Sequence, residues 1–154
     1  MSTQNIQPNS FKATIIIYYG LFAGQALMGL IFYYLMQSEG REDTLESPFN
    51  IIIPGAVAFG IIASYLVGQY QKNNLPPAGS SADEKLEHFR RWSIVRFALL
   101  EGGNLVALVL AFMFGSINYM LCFVVGLAAF ILLRPVKDRF VQDYQVSRSE
   151  AEGL

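Results

Sequence analysis

The residue whose chemistry most demands explanation is Glu101, a carboxylate inside the apolar run from Ile94 to Phe114. If Trp92 marks the membrane interface, Glu101 lies about 13 Å further along a helix that rises 1.5 Å per residue. Its short side chain cannot easily reach water from that depth. Burial in lipid disfavours a charged carboxylate, and an acid inside a membrane segment is by default a candidate functional site.

The partners of Glu101 are expected on its own helix face and at matched depth on other helices. Asn104, three residues later, shares its face. Arg96, five residues earlier, points roughly 140° away, so we expect it to reach back to lipid headgroups. The predicted polar layers are Glu101 with Ser64 and with Tyr18 or Tyr19, and then Gln25 with Asn104.

Three roles are open for this polar stripe. A neutral Glu101 that donates one hydrogen bond would tie helices together, a titrating Glu101 would be an ion or proton site, and an unsatisfied one would contact a partner subunit. The membrane runs contain no second acid and no base aligned with Glu101. These absences favour the structural tie.

Other chemistry is sparse in this chain. His88 is the only histidine and Cys122 the only cysteine, and HExxH, GxSxG and Walker-type motifs are absent. The net charge is −1, and no basic stripe with interleaved aromatic residues suggests nucleic-acid binding. We therefore expect no enzymatic activity, no cofactor, no metal site and no nucleic-acid partner.

Composition and patterning predict an integral membrane protein. Of 154 residues, 53% are hydrophobic and only 15% are charged, against about 25% charged in a soluble domain. Runs of roughly 20 apolar residues predict membrane-spanning helices. The predicted spans are 13–36, 51–69, 93–114 and 117–134, in a single domain over 1–154 with a flexible cytoplasmic loop at 71–82. The first run is too long for a signal-peptide core, so we expect it to be retained.

The loops predict the orientation. Ten of the eleven Lys and Arg residues fall on one side of the membrane if both termini share it, whereas the first loop holds only Arg41, among four acids. The positive-inside rule then places both termini and the second loop in the cytoplasm. The predicted fold is an all-α, up-and-down bundle of four helices in a bacterial inner membrane. Beyond Pro135, a short surface helix is expected to turn Phe140, Val141 and Tyr144 toward headgroups.

Small residues predict where helices pack closely, because lipid tails provide no hydrophobic driving force between helices. Their recurrence at four-residue intervals favours packing within the bundle, and homodimerisation through one of these faces is the alternative. The predicted packing positions are Gly20 and Gly24 in the first helix, Ala56, Gly60 and Gly68 with Ser64 in the second, and Gly102 and Gly103 in the third; Cys122-xxx-Gly126 is the similar spacing in the fourth.

The patches "LFAGQAL", "RFALLEGGNL" and "LLRPVKDR" resemble short four-helix membrane proteins of Bacteroidota-type bacteria. The resemblance spans most of the chain and implies the fold but no activity. A helical acid opposite small residues is also similar to the rotor proteolipids of rotary ATPases. Their acid lies on the second helix of a hairpin, whereas Glu101 lies on the first, so we do not assign the chain to them.

These observations predict a non-enzymatic membrane protein that acts by helix packing, as a homo-oligomer or as a subunit of a larger membrane complex. The alternative is a small transporter or an ion- or proton-coupling subunit that uses Glu101. The lipid bilayer and other membrane subunits are the expected partners.

Overall fold

The computed structural model describes residues 10–38, 48–77 and 79–146, and within these it is all-α as predicted. The acidic first loop around Arg41 lies outside the described residues. The helices are α1 (Ser10–Ser38), α2 (Phe49–Asn73), α3 (Ala82–Phe114), α4 (Ile117–Leu132) and α5 (Lys137–Tyr144).

Three helices, α1 to α3, are long and apolar enough to cross a membrane. The fourth, α4, has only 16 residues, and it qualifies only when joined to α5 as one broken span bent by 59°. Pro135 lies in the break, where its missing N–H and fixed φ oppose helix continuation. The chain is thus a helical protein with three or four candidate membrane spans.

Local sequence signals fix both ends of α3. The Ser81 hydroxyl accepts a hydrogen bond from the backbone N–H of Glu84, which satisfies one free amide of the first turn. At the other end Gly115 adopts a left-handed conformation with φ of 63°, which a glycine tolerates without strain. The predicted loop at 71–82 is too long, because α2 continues to Asn73 and α3 begins at Ala82.

The first and third helices run parallel and meet along one seam. Ring contacts join Phe11 to Phe89, Tyr18 to Phe97 and Phe32 to Phe112, and a hydrogen bond joins Gln25 to Asn104. Each α3 residue lies 78 to 80 positions after its α1 partner. Because the α1 members recur every seven residues, they form one stripe along that helix.

The second helix runs antiparallel to α3 at very short range. A methyl group at Gly60 would lie 2.9 Å from the Leu99 carbonyl oxygen, and one at Gly103 would lie 2.6 Å from the Ala56 carbonyl oxygen. Hydrogen in place of a side chain lets the two backbones approach. The contact between α2 and α3 therefore depends on glycines of both helices.

The short helix α5 packs on the bundle rather than on lipid. We call the end of the bundle where α1 begins and α2 ends the basic end. With 33 residues, α3 is about 50 Å long and exceeds the roughly 30 Å hydrocarbon core. Its first turns pack there against α5, so the expectation that Phe140 and Tyr144 face headgroups is wrong: they are 0% and 5% exposed. They share a core cluster with Phe11 and Leu86.

Candidate functional site

The predicted contact between Gln25 and Asn104 is present in the bundle interior. The Asn104 side-chain nitrogen donates to the Gln25 side-chain oxygen over 2.9 Å, and both residues are at most 1% exposed. Gly126 of α4 makes room for this pair, because a methyl group there would overlap the Asn104 side-chain oxygen. The amide pair thus joins α1 and α3 at a point that α4 also touches.

This amide pair is not fully satisfied. The Gln25 side-chain nitrogen and the Asn104 side-chain oxygen have no hydrogen-bond partner in the described part of the chain. Unsatisfied polar atoms in a buried site weaken it, because each retains the cost of leaving water. The pair positions helices but does not by itself show any chemical activity.

The predicted layer around Glu101 is not formed. The Tyr18 hydroxyl donates instead to the Phe130 carbonyl of α4, at 3.2 Å. Tyr19 is 44% exposed, and the Arg134 guanidinium lies 5.8 Å from its ring centre. The Ser64 hydroxyl is buried without a hydrogen-bond partner among the described residues. Tyr18 lies level with Phe97, and the Ser64 carbonyl lies beside Arg96, so both are at least one helical turn from the level of Glu101.

Glu101 itself lies half-buried on the side of α3 nearest α1. It precedes Phe112 by eleven residues, so the two lie within about 20° on the helix, and Phe112 stacks on Phe32 of α1. The offset of the seam places Glu101 level with Phe22 of α1. Across the described ranges, no hydrogen bond or ion pair reaches its carboxylate.

Three of the predicted packing glycines face open space. A methyl group at Gly20, Gly24 or Gly102 would meet nothing within 4 Å. The expectation that these three bring helices of this bundle together is therefore not met. Gly126, which follows Cys122 at the predicted small-residue spacing, does make close contact, with Asn104; Gly29, outside the predicted packing positions, lies against the Phe123 ring. Gly29 belongs to no repeated small-residue spacing, so the sequence gives no signal for it.

Arg96 lies against α2 rather than extending freely to headgroups. Its Nε donates to the Ser64 carbonyl over 3.2 Å. A methyl group at Gly68 would lie 3.0 Å from the guanidinium carbon, so the missing side chain of Gly68 leaves space for the cation. The prediction that Arg96 does not pair with Glu101 is confirmed.

A hydrogen-bonded network at the basic end was not predicted from the sequence. The Gln71 side chain donates to the Tyr144 hydroxyl at 2.9 Å, and that hydroxyl lies 2.8 Å from His88 Nδ1. Trp92 Nε1 donates to His88 Nε2 at 3.0 Å. Because an indole N–H can only donate, Nε2 must be the acceptor and His88 carries its proton on Nδ1.

This network holds α2, α3 and α5 together, and two of its groups have shifted pKa values. Burial, reinforced by the neighbouring Arg91 cation, lowers the pKa of His88. Burial raises the pKa of the Tyr144 hydroxyl. The four-residue spacing of His88 and Trp92 was the sequence signal available, since it places both on one helix face.

Within residues 10–38, 48–77 and 79–146, no three His, Cys, Asp or Glu residues come together as a metal-binding group. Comparisons with protein-family models, with curated proteins and with solved structures give no match to this chain.

Proposed function

We propose that this chain is a non-enzymatic, multi-pass membrane protein whose α1–α3 surface binds a transmembrane helix of a second copy or of a partner subunit. The single observation that supports this best is the unpaired Glu101 carboxylate at the surface of an apolar helix. A polar group in that position gains most from a partner that supplies a hydrogen bond, because lipid supplies none.

Exposed glycines of α1 and α3 also support the binding of an external helix. Gly20, Gly24 and Gly102 leave open space beside the backbone. Small residues at a lipid-facing surface allow another helix to approach closely, and interhelical hydrogen bonds then stabilise the contact. Within the bundle, close packing is provided by Gly60 and Gly103 instead, so the open glycines remain available for an external helix.

The proposed location is a bacterial inner membrane with both termini in the cytoplasm. Its support is the distribution of charge, since nine of the eleven Lys and Arg residues lie in the described ranges and all nine are at the basic end. A negative cytoplasmic membrane surface retains such segments on that side.

Cysteine crosslinking tests the proposed contact surface. In a Cys122→Ser background, Gly102→Cys places a thiol on the exposed surface of α3 next to Glu101, and Val125→Cys is the matched control on an exposed part of α4. In native membranes, we expect crosslinked dimers or a crosslinked partner from position 102 and not from position 125. Equal crosslinking at both positions, or none at 102, would contradict the proposal.

Substitutions at Glu101 separate this function from ion coupling. Glu101→Gln keeps a hydrogen-bonding group, so crosslinking from position 102 should persist, whereas Glu101→Leu should abolish it without unfolding the bundle. If Glu101 were instead an ion- or proton-coupling group, Glu101→Gln would abolish proton flux in reconstituted vesicles. Such a result would contradict the helix-binding proposal and support a role in ion or proton transport.

A further inference from the structure

A cationic cavity lies at the basic end, away from Glu101. It measures about 240 Å³ and is bounded by α2, α3 and α5. Its charged lining residues are Arg96, Arg139, Lys72 and Asp143. Lys72 and Asp143 pair with each other at 3.6 Å. The two arginines therefore leave the lining with a net positive charge of two.

The two arginines have no acidic partner in the part of the chain that the structure describes. Both line the same cavity, and no carboxylate in the described ranges is within ion-pair distance of either. Arg96 uses Nε to reach the Ser64 carbonyl, which leaves its other N–H groups for a further acceptor. Two like charges that share one cavity are stabilised by an anion between them, and guanidinium groups match phosphate oxygens well.

An apolar groove continues from this cavity along the membrane-facing surface. It measures about 200 Å³ and shares Arg96 and Tyr65 with the cavity. Its other walls come from α2, α3 and α4, through Ile61, Ser64, Leu100, Ala129, Leu132 and Leu133. The Ser64 hydroxyl, 1% exposed, has no hydrogen-bond partner in the described residues. A polar cavity that opens into an apolar groove matches a ligand with an anionic head and a hydrocarbon tail.

The depth of the cavity indicates where such a ligand comes from. Tyr70 and Trp92 are close in sequence to residues that line the cavity, and the centres of their rings are 5.2 Å apart. Tyrosine and tryptophan concentrate at the level of lipid headgroups. Basic pockets between membrane helices on the cytoplasmic side bind anionic headgroups.

We propose that the cavity and the groove together bind one anionic phospholipid, with its phosphate between Arg96 and Arg139 and an acyl chain along α2 and α4. The Ser64 hydroxyl then donates a hydrogen bond to an ester oxygen of the lipid. The lipid would join α2, α3, α4 and α5 at the point where the α4–α5 bend leaves the bundle surface open.

Native mass spectrometry of the full chain tests this proposal. The protein is exchanged into detergent with phosphatidylglycerol or with phosphatidylcholine of the same chains, and bound lipid is counted. We expect selective retention of phosphatidylglycerol. Arg96→Gln and Arg139→Gln should each weaken retention about fivefold, the effect of roughly one cation near an anionic lipid.

Arg134→Gln is the matched control, because Arg134 is a cation at the same end that lies over Tyr19 outside the cavity. It should leave retention unchanged. Arg139 is an exposed residue of α5, so its substitution remains informative even if Arg96→Gln disturbs folding. Equal loss with Arg134→Gln, or equal retention of both lipids by the wild-type protein, would overturn the proposal.

A lipid is separated from a free anion by blocking the groove. Ala129→Leu puts a larger side chain into the groove, where the acyl chain would lie, and leaves both arginines in place. It should therefore reduce phosphatidylglycerol retention, while inorganic phosphate binding stays unchanged. If inorganic phosphate alone protects the protein from thermal unfolding as well as the lipid does, and Ala129→Leu has no effect on lipid retention, the site is an anion site and the lipid proposal fails.

Discussion

The adjacent glycines of α3 provide the sharpest test of the packing, because they have opposite surroundings. A methyl group at Gly103 would lie 2.6 Å from the Ala56 carbonyl oxygen and 3.4 Å from the Val57 α-carbon, whereas one at Gly102 would meet nothing within 4 Å. Ordinary contact begins at 3.4 Å, so Gly103→Ala requires α2 and α3 to separate locally by about 0.8 Å. The obstacle is backbone, which cannot rotate away as a side chain can.

The energetic expectation follows from two opposing effects. Overpacking a tight contact lowers the free energy of unfolding by about 1 to 3 kcal/mol, whereas replacing glycine by alanine within a helix raises it by about 0.5 to 1 kcal/mol. At the midpoints of these ranges, Gly103→Ala should destabilise the bundle by about 1 kcal/mol, and by about 2.5 kcal/mol at most, while Gly102→Ala should be neutral or slightly stabilising.

Both variants differ from the wild-type protein by one methyl group, and they serve as controls for each other. The free energy of unfolding in mixed micelles, followed by circular dichroism, measures the difference. If Gly102→Ala destabilises as much as Gly103→Ala, or if Gly103→Ala is neutral, the close approach of α2 and α3 is refuted.

Two further predictions concern the polar contacts. A double-mutant cycle with Gln25→Leu and Asn104→Leu should give a coupling of about 0.6 kcal/mol, the average for hydrogen bonds between membrane helices; zero coupling would show that the amide pair contributes nothing. The folded-state pKa of His88 lies below the ordinary value, so the unfolded chain takes up that proton first as pH falls. The contribution of neutral His88 to the free energy of unfolding is therefore full above about pH 6.5 and is lost as pH falls through the folded-state pKa. Trp92 fluorescence during unfolding at about pH 7.5 and about pH 5 should show this loss, and the loss should be absent in His88→Gln; an equal loss in that variant would exclude His88 as its cause.

The all-α architecture and the helix locations were predictable, because length, hydropathy and caps act locally. The residues from Ser81 to Glu84 specify the start of α3 by a single hydrogen bond. The close approach at Gly60 was also predictable, since a regular small-residue spacing on α2 marks a face that another helix can approach. The same spacing on α1 predicted packing at Gly20 and Gly24 that the bundle does not use. Small residues show that an approach is possible, but not which helix makes it.

The role of α5 could not be derived from its sequence because an amphipathic segment fits two different apolar surfaces. Phe140 and Tyr144 could lie on lipid or on protein with the same periodicity. The outcome is decided by the length of α3, whose first turns extend beyond the apolar stretch and offer Leu86 and Phe89 as a protein surface. His88 and Gln71 then add hydrogen bonds to Tyr144 that lipid cannot provide.

The two charges of the α3 apolar run show why depth and direction must be considered together. Arg96 and Glu101 point roughly 140° apart, so they meet different neighbours although only five residues separate them. Arg96 is near the interface and has a long side chain, and Gly68 leaves a space in which it can reach a carbonyl and the cationic cavity. Glu101 is deeper and shorter, and its side of α3 offers no hydrogen bond from the described residues. A carboxylate in that position must be neutral or must gain a partner from outside the bundle, and for that reason the α1–α3 surface, rather than the bundle interior, is where function is to be sought.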